Sequence, residues 1–112
     1  MSIKEKALCL RIFVGEKDRS NGTTPLYEAI VLKAREAHLA GATVFKSPMG
    51  FGHSSLLHTA NILRLSDDLP MVVEIIDAEK KIMDFLQTIK PMIKSGLATL
   101  EEVKVVHYGS GG

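Results

Sequence analysis

Two apolar strands separated by a long polar loop constrain this chain more than any other feature. Residues 42–47 (Ala-Thr-Val-Phe-Lys-Ser) are rich in β-formers and follow a helical pattern that stops at Gly41. Residues 71–76 (Met-Val-Val-Glu-Ile-Ile) form a second strand that runs straight into Asp77 and another helical pattern. Between them lie Gly50-Phe51-Gly52, the polar residues His53, Ser54, Ser55, His58 and Asn61, and no apolar run long enough for a core helix. A compact domain keeps a loop of this length when it binds something or is disordered.

The flanking segments complete a pattern. Residues 8–14 are apolar apart from Arg11 and fit a central strand covered on at least one face. Gly15 opens a charged loop in which Asn21-Gly22 signals a turn. The first helix is expected from Thr24-Pro25, with Leu26, Ile30, Ala34 and Ala37 on one stripe and Gly41 as a left-handed stop. The second is expected after Asp77 as cap, with Ile82, Phe85, Leu86, Ile89 and Ile93 as its stripe. Pro91 should kink its last turn and Gly96 should end it. A last strand is expected over 103–107, with 99–102 as a single helical turn before it. Residues 62–65 read as either a helical turn or a strand extension broken at Pro70.

The order β-α-β-β-α-β is that of a ferredoxin-like α+β sandwich, with both helices on one face of an antiparallel sheet. Val44, Val72, Val105 and the first strand carry too many apolar residues for one face. The bare face predicts oligomerisation. At 112 residues the chain reads as one domain, 1–108, with a flexible tail at 109–112.

Charge and composition narrow the function. The net charge is +1 and the basic residues are scattered, so no field draws the chain to nucleic acid or a membrane surface. The single cysteine, Cys9, lies in an apolar run and reads as a buried hydrophobe in a reducing, cytoplasmic setting. Residues 1–6 are charged, with no signal-peptide core. No apolar run approaches the ~20 residues that span a bilayer.

Candidate sites are sparse. Gly50 and Gly52 place backbone N–H groups where an anion can approach, although a plain turn uses the same residues. His53 and His58 lack the third ligand and the spacing a zinc site needs, and read as solvated loop residues. Glu16, Asp18, Asp67 and Asp68 read as turn formers. No nucleophile elbow, Walker sequence or dinucleotide fingerprint is present. On residues alone, a ligand-binding regulatory module outranks an enzyme, and no cofactor or metal is expected.

Taken together, these segments resemble the PII-type nitrogen-signalling proteins, and more closely their PII-like branch, the domain-of-unknown-function 190 family. The motifs are Leu-Arg-Ile-Phe (10–13), Pro-Leu-Tyr-Glu-Ala-Ile (25–30), Ala-Gly-Ala-Thr-Val (40–44), Met-Gly-Phe-Gly (49–52) and Leu-Arg-Leu-Ser-Asp-Asp-Leu-Pro (63–70). The similarity covers about residues 5–107. It implies a homotrimer that binds a small anionic ligand or nucleotide in clefts between subunits. Gly50, Phe51 and Gly52 would form one wall, and the turn at 95–99, with Gly96 and Thr99, another. Arg11, Lys46 and Arg64 are the candidate cations. The T-loop, with His53, Ser54, Ser55, His58 and Asn61, would engage a transporter or enzyme.

The chain also departs from the PII pattern. Residues 96–102 carry Glu101-Glu102 where PII proteins have a lysine-containing phosphate loop, residues 108–112 hold no arginine like those of the PII C-terminal arm, and the T-loop has no tyrosine. These departures tell against ATP binding of the usual PII type without settling it, and leave a less charged nucleotide or another small anion open. Two other readings stand beside the sensor: a small enzyme or metal-handling protein using His53, His58 and carboxylates, and a scaffold that binds only protein.

Overall fold

The computed structural model describes residues 2–51, 58–59 and 68–109. In chain order it contains β1 (Ala7–Gly15), β2 (Arg19–Ser20), β3 (Thr24–Pro25), α1 (Leu26–Glu36), β4 (Thr43–Lys46), β5 (Met49–Gly50), β6 (His58–Thr59), β7 (Pro70–Ala78), α2 (Glu79–Ile89), a 3₁₀ turn (Lys90–Met92) and β8 (Leu97–Val103). The main sheet has the order β4-β7-β1-β8 with every neighbouring pair antiparallel. This is the βαββαβ sandwich expected from the pattern. Two short pairs, β2 with β3 and β5 with β6, stand outside it.

Strand alternation decides what each face carries. On the helix side, Leu8, Leu10, Ile12 and Val14 of β1 stand opposite Asp77, Ile75, Val73 and Met71 of β7. Leu26, Ile30 and Ala34 of α1 and Ile82, Phe85, Leu86 and Ile89 of α2 close over them to form the core. Each such aliphatic side chain contributes about 1.5–3 kcal/mol by leaving water, which makes this layer the main source of stability.

Helix boundaries differ from the expected ones for local reasons. Thr24-Pro25 pairs with Arg19–Ser20 as a strand, so α1 begins at Leu26 with Pro25 in the capping position. The turn before it holds Asn21 and Gly22, both at positive φ. α1 ends at Glu36, leaving Ala37 exposed at its cap and outside the core stripe. The left-handed residue after it is His38, φ 59°, rather than Gly41. Asp77 does not cap α2, because β7 continues through Ala78, which takes that place. Pro91 terminates α2 more sharply than a kink would. The α-helix stops at Ile89 and tightens into the 3₁₀ turn before Gly96 is reached.

The last strand is displaced by six residues. β8 spans Leu97–Val103, so the expected helical turn at 99–102 is strand and residues 104–107 are not. Pairing decides this: Leu97 faces Phe13, Thr99 faces Arg11 and Leu100 faces Leu10 across the β1 ladder. Ladder hydrogen bonds and cross-strand contacts override the weak strand preference of Ala, Leu and Glu.

The sheet's other face is bare of helices. One row runs Phe45, Val72, Phe13, Leu97 across all four strands. Phe45, Phe13 and Leu97 are 52%, 36% and 58% exposed, a hydrophobic band facing solvent in the single chain. The next row inward is Thr43, Glu74, Arg11, Thr99. Cys9 lies one row further, opposite Ile76, and is buried. No helix among the described residues is long and apolar enough to cross a membrane.

Candidate functional site

Strand ends gather several of the expected site residues. β1 finishes at Gly15 where β7 begins at Pro70, β4 finishes at Lys46, and β8 begins next to Gly96. Gly50 pairs with His58 across β5 and β6, and a Cβ on it would lie 2.7 Å from Pro70 Cγ. Gly96 sits against the Phe13 carbonyl oxygen, 2.7 Å from where its Cβ would be. Phe51 is exposed. Lys46, Gly50 and Gly96 therefore share this end of the sheet.

Its polar groups are already engaged. Lys46 Nζ is 2.9 Å from Glu16 Oε2, and the Glu16 N–H donates to the Leu69 carbonyl. Asp18 accepts the Gly15 N–H at 2.9 Å and Asp68 the Lys17 N–H at 2.6 Å. These carboxylates tie turns together, as the sequence suggested for them. Arg11 and Thr99 lie one row in, on the bare face. Arg11 donates to Glu74 at 2.9 Å and to Glu101 at 3.4 Å. The Glu74 carboxylate raises the guanidinium's pKa, holding the charge firmly on Arg11. Gly52, His53, Ser54, Ser55, Asn61 and Arg64 lie outside the described residues, as does the 62–65 segment, and His58 is placed only as a member of β6.

One cleft of about 320 Å³ takes in Gly96, with Lys90, Ile93 and Leu100 beside it, and another lies elsewhere. A cleft of about 500 Å³ opens between the 40–43 loop, Glu74 and Ile76 of β7, and residues 103–108 after β8. Ligand pockets run from about 300 to 1,000 Å³. Among the described residues, none of the glycines and cations expected to bind ligand lines it; Arg11 reaches it only through Glu74. The cleft offers small residues at Ala40, Gly41 and Ala42, so backbone lies near its surface. It also has the hydroxyls of Thr43 and Tyr108, the Glu74 carboxylate, and Lys104 and His107. Gly41 has open space where a side chain would stand. This arrangement suits a ligand with a flat apolar part and a few polar edges.

One signal for the cleft was present in the sequence. Glu74 is the single ionisable residue inside the apolar run of the third core strand, and such a residue asks for a partner or a ligand. The rest is assembled from distant segments and leaves no local motif. Among the described residues, no group of three His, Cys, Asp or Glu side chains comes together in a way that could hold a metal ion.

Residues 7–105 match the family model DUF190, described as an uncharacterized ACR. The chain belongs to the DUF190 family. A DUF190 relative, a UPF0166 protein of Aquifex aeolicus (strain VF5), is 41% identical over 107 residues, covering 96% of this chain and 99% of the relative. Among solved structures this DUF190 chain is similar to CPII of Thiomonas intermedia K12, a nitrogen regulatory PII-like protein bound to ADP, AMP and bicarbonate. That match has a TM-score of 0.68 at 16% identity, over 95% of this chain and 94% of CPII. The GlnK–ATP complex of B. subtilis matches with a TM-score of 0.54 at 12% identity, over 93% and 85% of the two chains. At these identities the likeness is one of fold, and the fold is PII-like.

Proposed function

We propose that this protein is a PII-like regulator that binds a small ligand, an adenine nucleotide, in the 500 Å³ cleft, and that it acts by binding rather than catalysis. The observation that carries the reading is the cleft, in a fold whose similar structures include CPII with ADP and AMP. Its backbone-lined wall and Ile76 suit a base, and Lys104 and His107 suit an anion.

The assembled form in this reading is a homotrimer. Its contacts use the bare sheet face, where the Phe45–Leu97 row would otherwise face water, and bring a second copy to the open side of the cleft. The segment between Gly50 and Asp68 serves as the T-loop and engages a transporter or enzyme when the ligand state changes. A buried free cysteine suits a reducing cytoplasm.

Calorimetric titration with ADP and AMP tests the ligand. Binding is expected for the wild type and lost in Gly41→Leu, whose added Cβ meets no atom within 4 Å and whose side chain enters the cleft. Saturation at 100 times Kd would raise stability by about 2.7 kcal/mol. Stabilisation by zinc alone, abolished in His53→Ala, would instead favour the metal-handling reading.

A further inference from the structure

Asp77 is the buried charged residue of the described chain, 1% exposed, and it faces the helix side of the sheet opposite Leu8. Its carboxylate neither caps α2 nor lines the cleft. Instead Oδ2 accepts the Ala40 N–H at 2.8 Å, and Oδ1 accepts the Ala78 N–H at 2.6 Å. Lys81, one turn into α2, places Nζ 3.7 Å from Asp77 Oδ2 and 2.6 Å from the His38 carbonyl oxygen. One carboxylate and one ammonium thus fasten the loop between α1 and β4 to the junction of β7 and α2. That loop continues directly into the wall of the cleft, since Ala40 to Thr43 line it.

Before β4 begins, Leu39 and Ala42 also pack against the core. Gly41 has no heavy atom within 4 Å of its Cβ position. Among the described residues, 40–42 make no backbone-to-backbone hydrogen bond outside the strand ladders, whereas the Ala37, His38 and Leu39 N–H groups donate back into α1. His38 reaches its carbonyl position through a left-handed φ of 59°. A buried carboxylate is costly to desolvate, and it is retained here with two backbone donors and an ammonium around it. An apolar residue here, such as Ile75 or Val73 on the same face, would leave the Ala40 and Ala78 N–H groups without the acceptor they have now.

We infer that Asp77, with Lys81, is a positioning residue: it fixes the cleft wall at Ala40–Thr43 in a ligand-competent shape without touching the ligand. This rests on the proposed binding reading, and it adds that the wall's rigidity is set from the start of α2. The coupling is reciprocal. A ligand pressing on the wall also stabilises the α2 junction.

The test compares the wild type with Asp77→Asn, Lys81→Met and a core control, Ile89→Val, at the far end of α2. Amide exchange is read at Ala40 and Thr43 without nucleotide, and ADP affinity by calorimetry well below each melting point. Asp77→Asn keeps the size but presents an amide N–H₂ toward one of two N–H donors. It should speed Ala40 exchange and weaken ADP about tenfold or more, as loss of a charged hydrogen bond implies. Lys81 is half exposed, so Lys81→Met keeps the fold and should shift both readouts the same way by a smaller factor. Ile89→Val should lower stability while leaving both unchanged. If Ala40 exchange and ADP affinity in Asp77→Asn move no more than in Ile89→Val, the inference is overturned. A wild type that fails to bind ADP removes the binding reading, and the exchange data then decide on their own whether Asp77 fixes the wall.

Discussion

Gly96 shows how much a single position can be constrained by its neighbours. A Cβ there would lie 2.7 Å from the Phe13 carbonyl oxygen and 2.8 Å from Ile93 Cγ2, neither of which moves without disturbing β1 or the residue that caps the 3₁₀ turn. Gly96→Ala should therefore cost about 1–3 kcal/mol, measurable by urea denaturation. From sequence, Gly96 reads as a helix stop; its contact with β1 emerges only once β8 is paired. Cys9 was more legible, since an apolar run with one cysteine implies burial. Burial pushes its thiol pKa above the ordinary 9.0. As pH rises past that value the unfolded thiol ionises first while the folded one keeps its proton, so stability falls from there up to the folded pKa. Comparing urea midpoints at about pH 8 and about pH 10, the wild type should lose more than Cys9→Ala.

At the scale of elements, helical periodicity folds as announced, while the cap and stop residues do not. The α2 stripe at i, i+3, i+4 and i+7 is a signal within one helix, and Ile82, Phe85, Leu86 and Ile89 are all buried as that spacing requires. Ile82→Ala should cost about 2–5 kcal/mol in thermal or chemical denaturation, because the site is fully closed. β8 was misplaced for the opposite reason. Leu-Ala-Thr-Leu-Glu-Glu-Val carries no strand alternation of its own, while Val105 and Val106 just beyond it do look like strand. Its strand character comes from register against β1, which no local pattern encodes. The cleft was hidden likewise: 40–43, Glu74 and 103–108 meet only after the sheet has formed.

The whole molecule presents a sheet with one side closed by helices and one side open. On the open side an apolar row at Phe45, Val72, Phe13 and Leu97 borders a charged one, where Arg11 pairs with Glu74. That alternation suits an interface with an apolar band and a fixed ion pair to set register. Phe45→Glu leaves the monomer core untouched, since the side chain is half exposed, and should shift sedimentation toward the 12.2 kDa single chain. The surplus of apolar residues was countable in sequence, but their collection into one row was not.

Native mass spectrometry of the wild type with ADP reads assembly and ligand in one spectrum. The account predicts a species near three times 12.2 kDa that gains ADP, and a Gly41→Leu assembly of the same size that gains none. A 12.2 kDa chain alone, or a trimer that stays free of ADP at saturating nucleotide, would contradict it.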